Sequence, residues 1–376
     1  MDFNLTETQQ LLRNSARSFL EQECPGTFVR AMEEDERGFT PELWEKLAEM
    51  GWLGLAFPEA YGGAGQDFLS LTMLLEEMGR FLLPGPFFST VVLAGLPIAE
   101  HGTEAQARQF LPKMADGELL MTLAFTEPSA RYDPGGIQLQ ASSQGGHYLL
   151  EGAKLFVPNA NVADHLLVAA RTQEGTGSEG ITLFIVPSSA QGVGQRLLWT
   201  VASDRQSEVA FHNVRVTGDS ILGEVHQGWP VLERVLQQAA VAKCAEMVGQ
   251  AEAMLGMTVN YATQRVQFGR PIGSFQAIQH HCANMAIDLE GARAITHLAA
   301  WRLAQGLPAE REVAYAKGWT SDAVRRIAAL AHQCHGAIGF TREYDLQLYS
   351  RRAKANEVAF GDSDYHREKV ALALGI

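Results

Sequence analysis

The chain has 376 residues, with 43 acidic and 30 basic side chains and a formal net charge of -13 at pH 7. That length predicts two or three domains around a large core, and the acidic balance argues against nucleic acid or an anionic membrane as the main partner. The four cysteines form no CxxC pair, which favours a reducing, cytoplasmic location and no structural metal, and no apolar run reaches the roughly 18 residues of a membrane span.

Residues 1–120 predict an N-terminal helical domain. Residues 1–4 lead directly into a helical pattern, without the basic start, apolar stretch and cleavage site of a leader, so we expect no export. Thr6 and Gln9 have the spacing of a capping box at the first helix. Thr40 followed by Pro41 is a second predicted helix start.

Residues 121–225 predict a small β-domain, barrel-like in type. Short runs of β-branched and aromatic residues, bounded by glycines, are typical of strands. Four such runs stand out, at residues 148–150, 165–169, 181–186 and 207–211. The glycine-rich residues 172–180 predict a hairpin or surface loop between two of them.

Residues 226–376 predict a C-terminal four-helix bundle, because long segments with broad apolar faces pack in this way. The predicted helices cover residues 231–262, 275–305 and 308–335. Their surplus apolar surface predicts an oligomer. The fold class predicted for the whole chain is therefore α+β, with helical domains on either side of a β-domain in the sequence.

The strongest local motif follows the first of these C-terminal helices. Arg265, Phe268, Gly269, Pro271 and Gln276 match the RxxFGxPxxxxQ motif of acyl-CoA dehydrogenases, which the chain resembles along its whole length. An arginine at this place has chemical sense, since a guanidinium is always charged and can bind a pyrophosphate through two hydrogen bonds.

A second run, residues 333–340, resembles the C-terminal signature of the same family, and a basic cluster at residues 351–354 follows it. The resemblance implies an FAD-dependent enzyme in which Arg265 and Gln276 contact FAD bound mainly to the neighbouring subunit, with Gln333 and Gly336 lining the same site. It also implies an acyl-CoA substrate, an electron-transferring flavoprotein as acceptor, and a homotetramer or a heterotetramer with a homologous catalytic subunit.

The resemblance places further flavin contacts in the β-domain. Phe125 and Thr126 open a Thr-Glu-Pro segment that faces flavin in the family, and Arg131 stands where the family has a Gly-Ser-Asp that holds phosphate. Phe156 replaces a tryptophan that packs on the isoalloxazine. Two places later the family has a hydroxyl that donates to flavin N5, but Pro158 has neither hydroxyl nor backbone N–H.

The catalytic carboxylate of the family is missing. The family's Glu-Gly-Thr reads Phe-Gly-Asp at residues 360–362, and the alternative base position in some branches, near residues 237–240, holds no acid. Asp362 and Glu246 remain as candidate bases. The competing interpretations are that Asp362 caps a turn and that Glu246 pairs with Lys243.

The Phe-Gly-Asp ending specifically resembles small or partner subunits of heteromeric acyl-CoA dehydrogenases, such as the pimeloyl-CoA or steroid side-chain types. The first hypothesis is an acyl-CoA dehydrogenase, or a subunit of one, that introduces an α,β double bond into a fatty, dicarboxylic, alicyclic or steroid-derived CoA thioester. A second is a non-catalytic partner subunit that completes an FAD site, with Phe360 in place of the glutamate. A third is an unusual flavoenzyme with Asp362 as its base.

Overall fold

The structure is a computed structural model that describes residues 5–376, so residues 1–4, where the absence of a leader was inferred, lie outside it. The helices are α1 (Glu7–Glu23), α2 (Gly26–Glu34), α3 (Pro41–Glu49), α4 (Phe68–Arg80), a π-helical segment (Phe88–Gly95), α5 (Leu96–His101), α6 (Glu104–Ala115), α7 (Gly228–Gln264), α8 (Gln276–Ala304), α9 (Glu310–His335), α10 (Leu346–Val358) and α11 (Ser363–Leu374). The strands are β1 (Met121–Ala124), β2 (Gln140–Gln144), β3 (His147–Pro158), β4 (His165–Arg171), β5 (Ile181–Pro187), β6 (Val193–Leu198), β7 (Gln206–Thr217), β8 (Ile221–Leu222), β9 (Val266–Gln267) and β10 (Arg270–Pro271).

The predicted helix starts are confirmed. The Thr6 hydroxyl accepts from the Gln9 backbone N–H at 3.2 Å, and the Gln9 side chain accepts in return from the Thr6 N–H at 3.0 Å. This reciprocal pair satisfies two of the donors that a helix N-terminus leaves free. Thr40 also caps α3, since its hydroxyl accepts from Leu43 N at 3.3 Å.

The chain forms two compact units. The helical unit contains the described part of Met1–Arg30, together with Asp67–Leu83 and Ala240–Ile376. The sheet unit contains Ala31–Gln66 and Pro84–Ala239. The division at residues 120 and 225 that the sequence indicates stays a prediction.

The helical unit is built on α1, α4, most of α7, and α8 to α11. The three long C-terminal helices occur where the sequence predicts them, with ends that differ by a few residues. Val29, Leu82 and Leu348 form a small buried cluster between separate segments of this unit. Across the residues that the structure describes, none of the helices is both long and apolar enough to cross a membrane.

The sheet unit contains one eight-stranded sheet in the order β6-β7-β3-β2-β4-β5-β8, with β1 added in parallel beside β4. Strands β4 and β5 pair antiparallel from Arg171 opposite Ile181, so residues 172–180 are the predicted hairpin connection. The core of the unit is apolar and includes Leu150, Phe184 and Phe211. Strand β3 of this sheet contains Lys154 and Phe156.

Candidate functional site

A β-bulge near the end of β3 turns Phe156 to the surface of the sheet unit. Lys154 pairs with Val209, and Val157 pairs with Ser207. The chain therefore advances three residues along β3 but only two along β7, so β3 contains one extra residue. The Phe156 backbone takes a left-handed φ of +52°, which is unusual for a bulky residue. In a regular strand, Lys154 and Phe156 would lie on the same face of the sheet. Here the lysine is buried, whereas Phe156 is 53% exposed. The bulge therefore presents the aromatic ring outward.

The Thr126 segment is hydrogen-bonded to this part of β3. The Leu155 N–H donates to the Thr126 carbonyl at 2.8 Å, and Lys154 Nζ donates to the Phe125 carbonyl at 3.2 Å. The structure thus brings together three of the predicted flavin-contacting residues, Phe125, Thr126 and Phe156. The Phe125 side chain is buried, and its carbonyl is the acceptor for Lys154.

Arg131 follows in an exposed turn after Thr-Glu-Pro. Its Nε lies 2.8 Å from Asp133 Oδ2, and this hydrogen bond, with the carboxylate charge, raises the pKa of the guanidinium. Asp133 also accepts from Gly135 N at 2.9 Å. A phosphate at Arg131 would therefore compete for the guanidinium with the Asp133 carboxylate, which the Gly135 N–H also holds in the turn.

In the helical unit, Arg265 is exposed at the end of α7, where its backbone carbonyl accepts from Ile272 N at 2.8 Å. That bond closes a small hairpin of β9 and β10, with Phe268 at its tip, 94% exposed and at φ +52°. No hydrogen bond or ion pair joins the Arg265 guanidinium to another residue between 5 and 376. Gln276, also exposed, begins α8 directly after the hairpin.

The end of α9 lies beside the end of α7. The rings of Tyr261 and His335 stack with centroids 4.6 Å apart, and Tyr261 is one turn before Arg265. Gln333 is exposed in the last turn of α9. Gly336 follows at φ +65° and ψ -142°, a backbone region essentially restricted to glycine. The structure therefore gathers the predicted residues of the helical unit at one end of its bundle.

The turn that should carry the family's carboxylate shows no acid in that role. Phe360 is half-buried at φ +57°, and its carbonyl accepts from His366 Nε2 at 3.0 Å. Asp362 is the N-cap of α11, with Oδ1 accepting from Tyr365 N at 2.9 Å. The capping role considered as the alternative for Asp362 is thus observed.

The other predicted candidate is also engaged. Glu246 Oε2 lies 2.8 Å from Lys243 Nζ and 3.1 Å from Asn356 Nδ2. The pairing of Glu246 with Lys243 that the sequence indicated is therefore confirmed. Its carboxylate is held by a cation and an amide within the helical unit.

Sequence reasoning missed one carboxylate beside the second base position. In the sheet unit, Gln238 is buried and donates through Nε2 to Glu100 Oε1 at 2.7 Å. Arg234 Nε lies 3.6 Å from Glu100 Oε2. Glu100 is on α5, more than 130 positions from Gln238 in the sequence, so no local motif could connect them. The cation and the amide therefore both contact this carboxylate.

Comparison with known proteins covers nearly the whole chain. Family models match in three consecutive parts: acyl-CoA dehydrogenase N-terminal domain at residues 6–118, middle domain at 122–214 and C-terminal domain at 226–375. The probable acyl-CoA dehydrogenase YngJ of Bacillus subtilis is 33% identical over 381 residues, which is 100% of both chains.

Two solved structures give the same likeness in three dimensions. Butyryl-CoA dehydrogenase from Megasphaera elsdenii is 32% identical, with a TM-score of 0.93 and 100% of both chains covered. A chain of the ChsE4–ChsE5 complex from Mycobacterium tuberculosis is 30% identical, with a TM-score of 0.92, and covers 100% of this chain and 99% of its own.

Proposed function

We propose that this chain, which belongs to the acyl-CoA dehydrogenase family, is one subunit of a heteromeric acyl-CoA dehydrogenase. Members of the family are FAD-dependent oxidoreductases that act on CH–CH bonds. Its partner would be a homologous subunit that carries the catalytic carboxylate. The observation that carries the proposal is the turn at residues 360–362, where phenylalanine replaces the glutamate and Asp362 caps a helix.

The reaction requires removal of a proton from the α-carbon of the thioester by an aligned base. The hydride that leaves the β-carbon is taken up by FAD when it is bound. This chain offers Phe360 at the first position, and Gln238 lies in the second. Glu246 and Glu100 are each paired with a cation and an amide. A carboxylate from another chain is the simplest way to complete the reaction.

The residues present fit FAD. An exposed Phe156 ring offers a flat surface for a flavin, and the Arg265 guanidinium, without a partner among the described residues, suits a pyrophosphate. Gly336 has open space where a Cβ would stand, so backbone can approach a ligand there. Arg131, shared with Asp133, and Pro158, without a donor, fit less well. Phe156 supports FAD binding by the sheet unit. Arg265 and Gly336, in the helical unit, support a contribution to the FAD that the resemblance assigns mainly to the neighbouring subunit.

We further propose that the substrate is a CoA thioester of a fatty, dicarboxylic, alicyclic or steroid-derived acid. The electrons removed from it need a second acceptor, for which an electron-transferring flavoprotein is the candidate that the family implies. The similarity to one chain of the ChsE4–ChsE5 complex supports an assembly of two different homologous chains, as a heterotetramer.

The test is co-expression with an acyl-CoA dehydrogenase homologue from the same genome that has a glutamate at the position of Phe360. We expect the two chains to purify as one complex that contains FAD and desaturates an acyl-CoA. Glutamine in place of the partner's catalytic glutamate is the matched control and should abolish turnover while leaving the complex intact. Full activity of this chain without any partner would contradict the proposal.

A further inference from the structure

A buried ion pair joins β3 to the Thr126 segment of the sheet unit. Lys154 Nζ lies 2.6 Å from Glu127 Oε1, and the side chains are 0% and 6% exposed. Burial lowers the pKa of Lys154 to about 8, against the attraction of the Glu127 charge. Desolvating two charges costs about as much free energy as their attraction returns, so such a pair is weak evidence for stability. Its geometry offers a better reason for its presence.

Glu127 binds more than the lysine. Its carboxylate accepts from the Gln138 N–H, at 3.0 Å to one oxygen and 2.9 Å to the other, and from the Leu139 N–H at 3.0 Å. Lys154 adds the bond to the Phe125 carbonyl at 3.2 Å. The pair therefore fixes three separate segments through charge-assisted hydrogen bonds, which are stronger than neutral ones.

Two of those segments contain Thr126 and Phe156. Lys154 binds the Phe125 carbonyl and the Glu127 carboxylate, and Thr126 lies between these two residues in the chain. Phe156 lies two positions after Lys154, within the β-bulge that interrupts the regular alternation of inward- and outward-facing side chains along β3. With the lysine anchored inward, the bulge leaves Phe156 directed to the surface. The positions of the Thr126 backbone and of the aromatic ring are thus coupled through one buried cation.

We propose that the Lys154–Glu127 pair is a positioning device that holds the Thr126 backbone and the Phe156 ring in the arrangement that receives the isoalloxazine of FAD. This inference rests on the proposed function, since it requires FAD at that surface. The two residues act through Thr126 and Phe156 and do not touch the cofactor themselves. Breaking the pair should therefore weaken and alter FAD binding beyond what a loss of stability alone would do.

The test measures FAD binding and the flavin absorption bands of the FAD-loaded protein, purified with its partner subunit where one co-purifies. Lys154→Met removes the cation, and Glu127→Gln removes the anion but keeps an acceptor for the backbone. The control is Val214→Ala, a cavity variant in the buried core of β7, used at a temperature where its fraction unfolded matches that of the lysine variant.

We expect Lys154→Met to raise the Kd for FAD at least tenfold and to shift the flavin bands, with Val214→Ala within twofold of the unchanged protein. A folded Lys154→Met with an unaltered Kd and spectrum, or an equal loss in Val214→Ala, would overturn the inference. If Lys154→Met does not fold, Glu127→Gln is judged by the same criterion. If neither folds, the pair is a folding requirement and the inference is wrong. Absence of FAD from the unchanged protein would overturn the proposed function as well.

Discussion

The ammonium nitrogen of Lys317 lies 2.8 Å from the carbonyl oxygen of Gly361, the residue directly after Phe360. The same nitrogen donates to the Glu357 carbonyl at 2.7 Å. Lys317 is fully buried in α9, and burial lowers its pKa to about 8. One buried lysine therefore anchors two backbone carbonyls of this turn.

Replacing this lysine tests the anchor. Lys317→Met leaves two buried carbonyls without a donor, and we expect it to lower the free energy of unfolding by about 2 kcal/mol. Lys369→Met, at an exposed position on α11, is the control and should change it by no more than about 0.5 kcal/mol. Denaturant titration measures both, and equal stability of Lys317→Met and the unchanged protein would refute the anchoring role.

The histidine on the other side of this turn should make stability depend on pH. Burial, with a smaller effect of the nearby Lys317 charge, lowers the pKa of His366 from 6.5 to about 3. Between those values the unfolded chain binds a proton that the folded chain does not, so the free energy of unfolding should fall as the pH is lowered from 6.5 toward 3. The slope from one such group is at most about 1.4 kcal/mol per pH unit.

His366→Gln keeps a donor for the Phe360 carbonyl but cannot take up the proton. We therefore expect it to reduce the slope of unfolding free energy against pH in that window, as measured by denaturant titration at several pH values. His280→Gln, at an exposed position on α8, should leave the slope unchanged. An unaltered slope in His366→Gln would show that its protonation is not linked to folding.

Asp362 offers a direct choice between base and helix cap. Asparagine is as good an N-cap as aspartate, whereas alanine is not. If Asp362 only caps α11, Asp362→Asn should leave both turnover of the complex and stability unchanged, and Asp362→Ala should lower the free energy of unfolding by about 1 kcal/mol. A large loss of kcat in Asp362→Asn, with stability kept, would make this residue the base.

Arg265 should bind FAD without stabilising the chain. It is exposed at the end of α7, and a lost charge-assisted hydrogen bond of about 1.5–3 kcal/mol corresponds to a Kd for FAD about 10- to 100-fold higher in Arg265→Gln. The Tm of the FAD-free protein should not move. Arg270→Gln is the matched control, because that guanidinium lies 4.1 Å from the centre of the Phe275 ring. Similar FAD binding by both variants would remove Arg265 from the site.

The sequence predicted the fold class and the main helices because their signals are local. The Thr6 capping box and the long apolar patterns of α7 to α9 depend on residues near one another in the chain. Strands β1, β2 and β6 were not predicted. Strand β1 has only four residues, and β2 and β6 are mostly exposed, so none of them has the length and the apolar or β-branched composition that indicate a strand.

The site was predicted only as far as motifs extend. Glu127 lies in the Thr-Glu-Pro segment and Lys154 lies two positions before Phe156, but their pairing spans 27 positions and needs the fold to bring them together. The stacking of Tyr261 on His335 likewise joins residues that are far apart in the sequence. The bulge that exposes Phe156 depends on the register between β3 and β7, which a single sequence does not specify.

We propose that this chain does not supply the base for its family's reaction. The most direct measurement is an anaerobic titration of the purified chain with a panel of acyl-CoAs, followed by the visible flavin spectrum, first alone and then with the glutamate-carrying homologue. We expect no bleaching of flavin by any thioester when the chain is alone, and bleaching once the homologue is present. Bleaching of the chain alone, lost in Asp362→Asn, would contradict the claim and show a self-sufficient dehydrogenase.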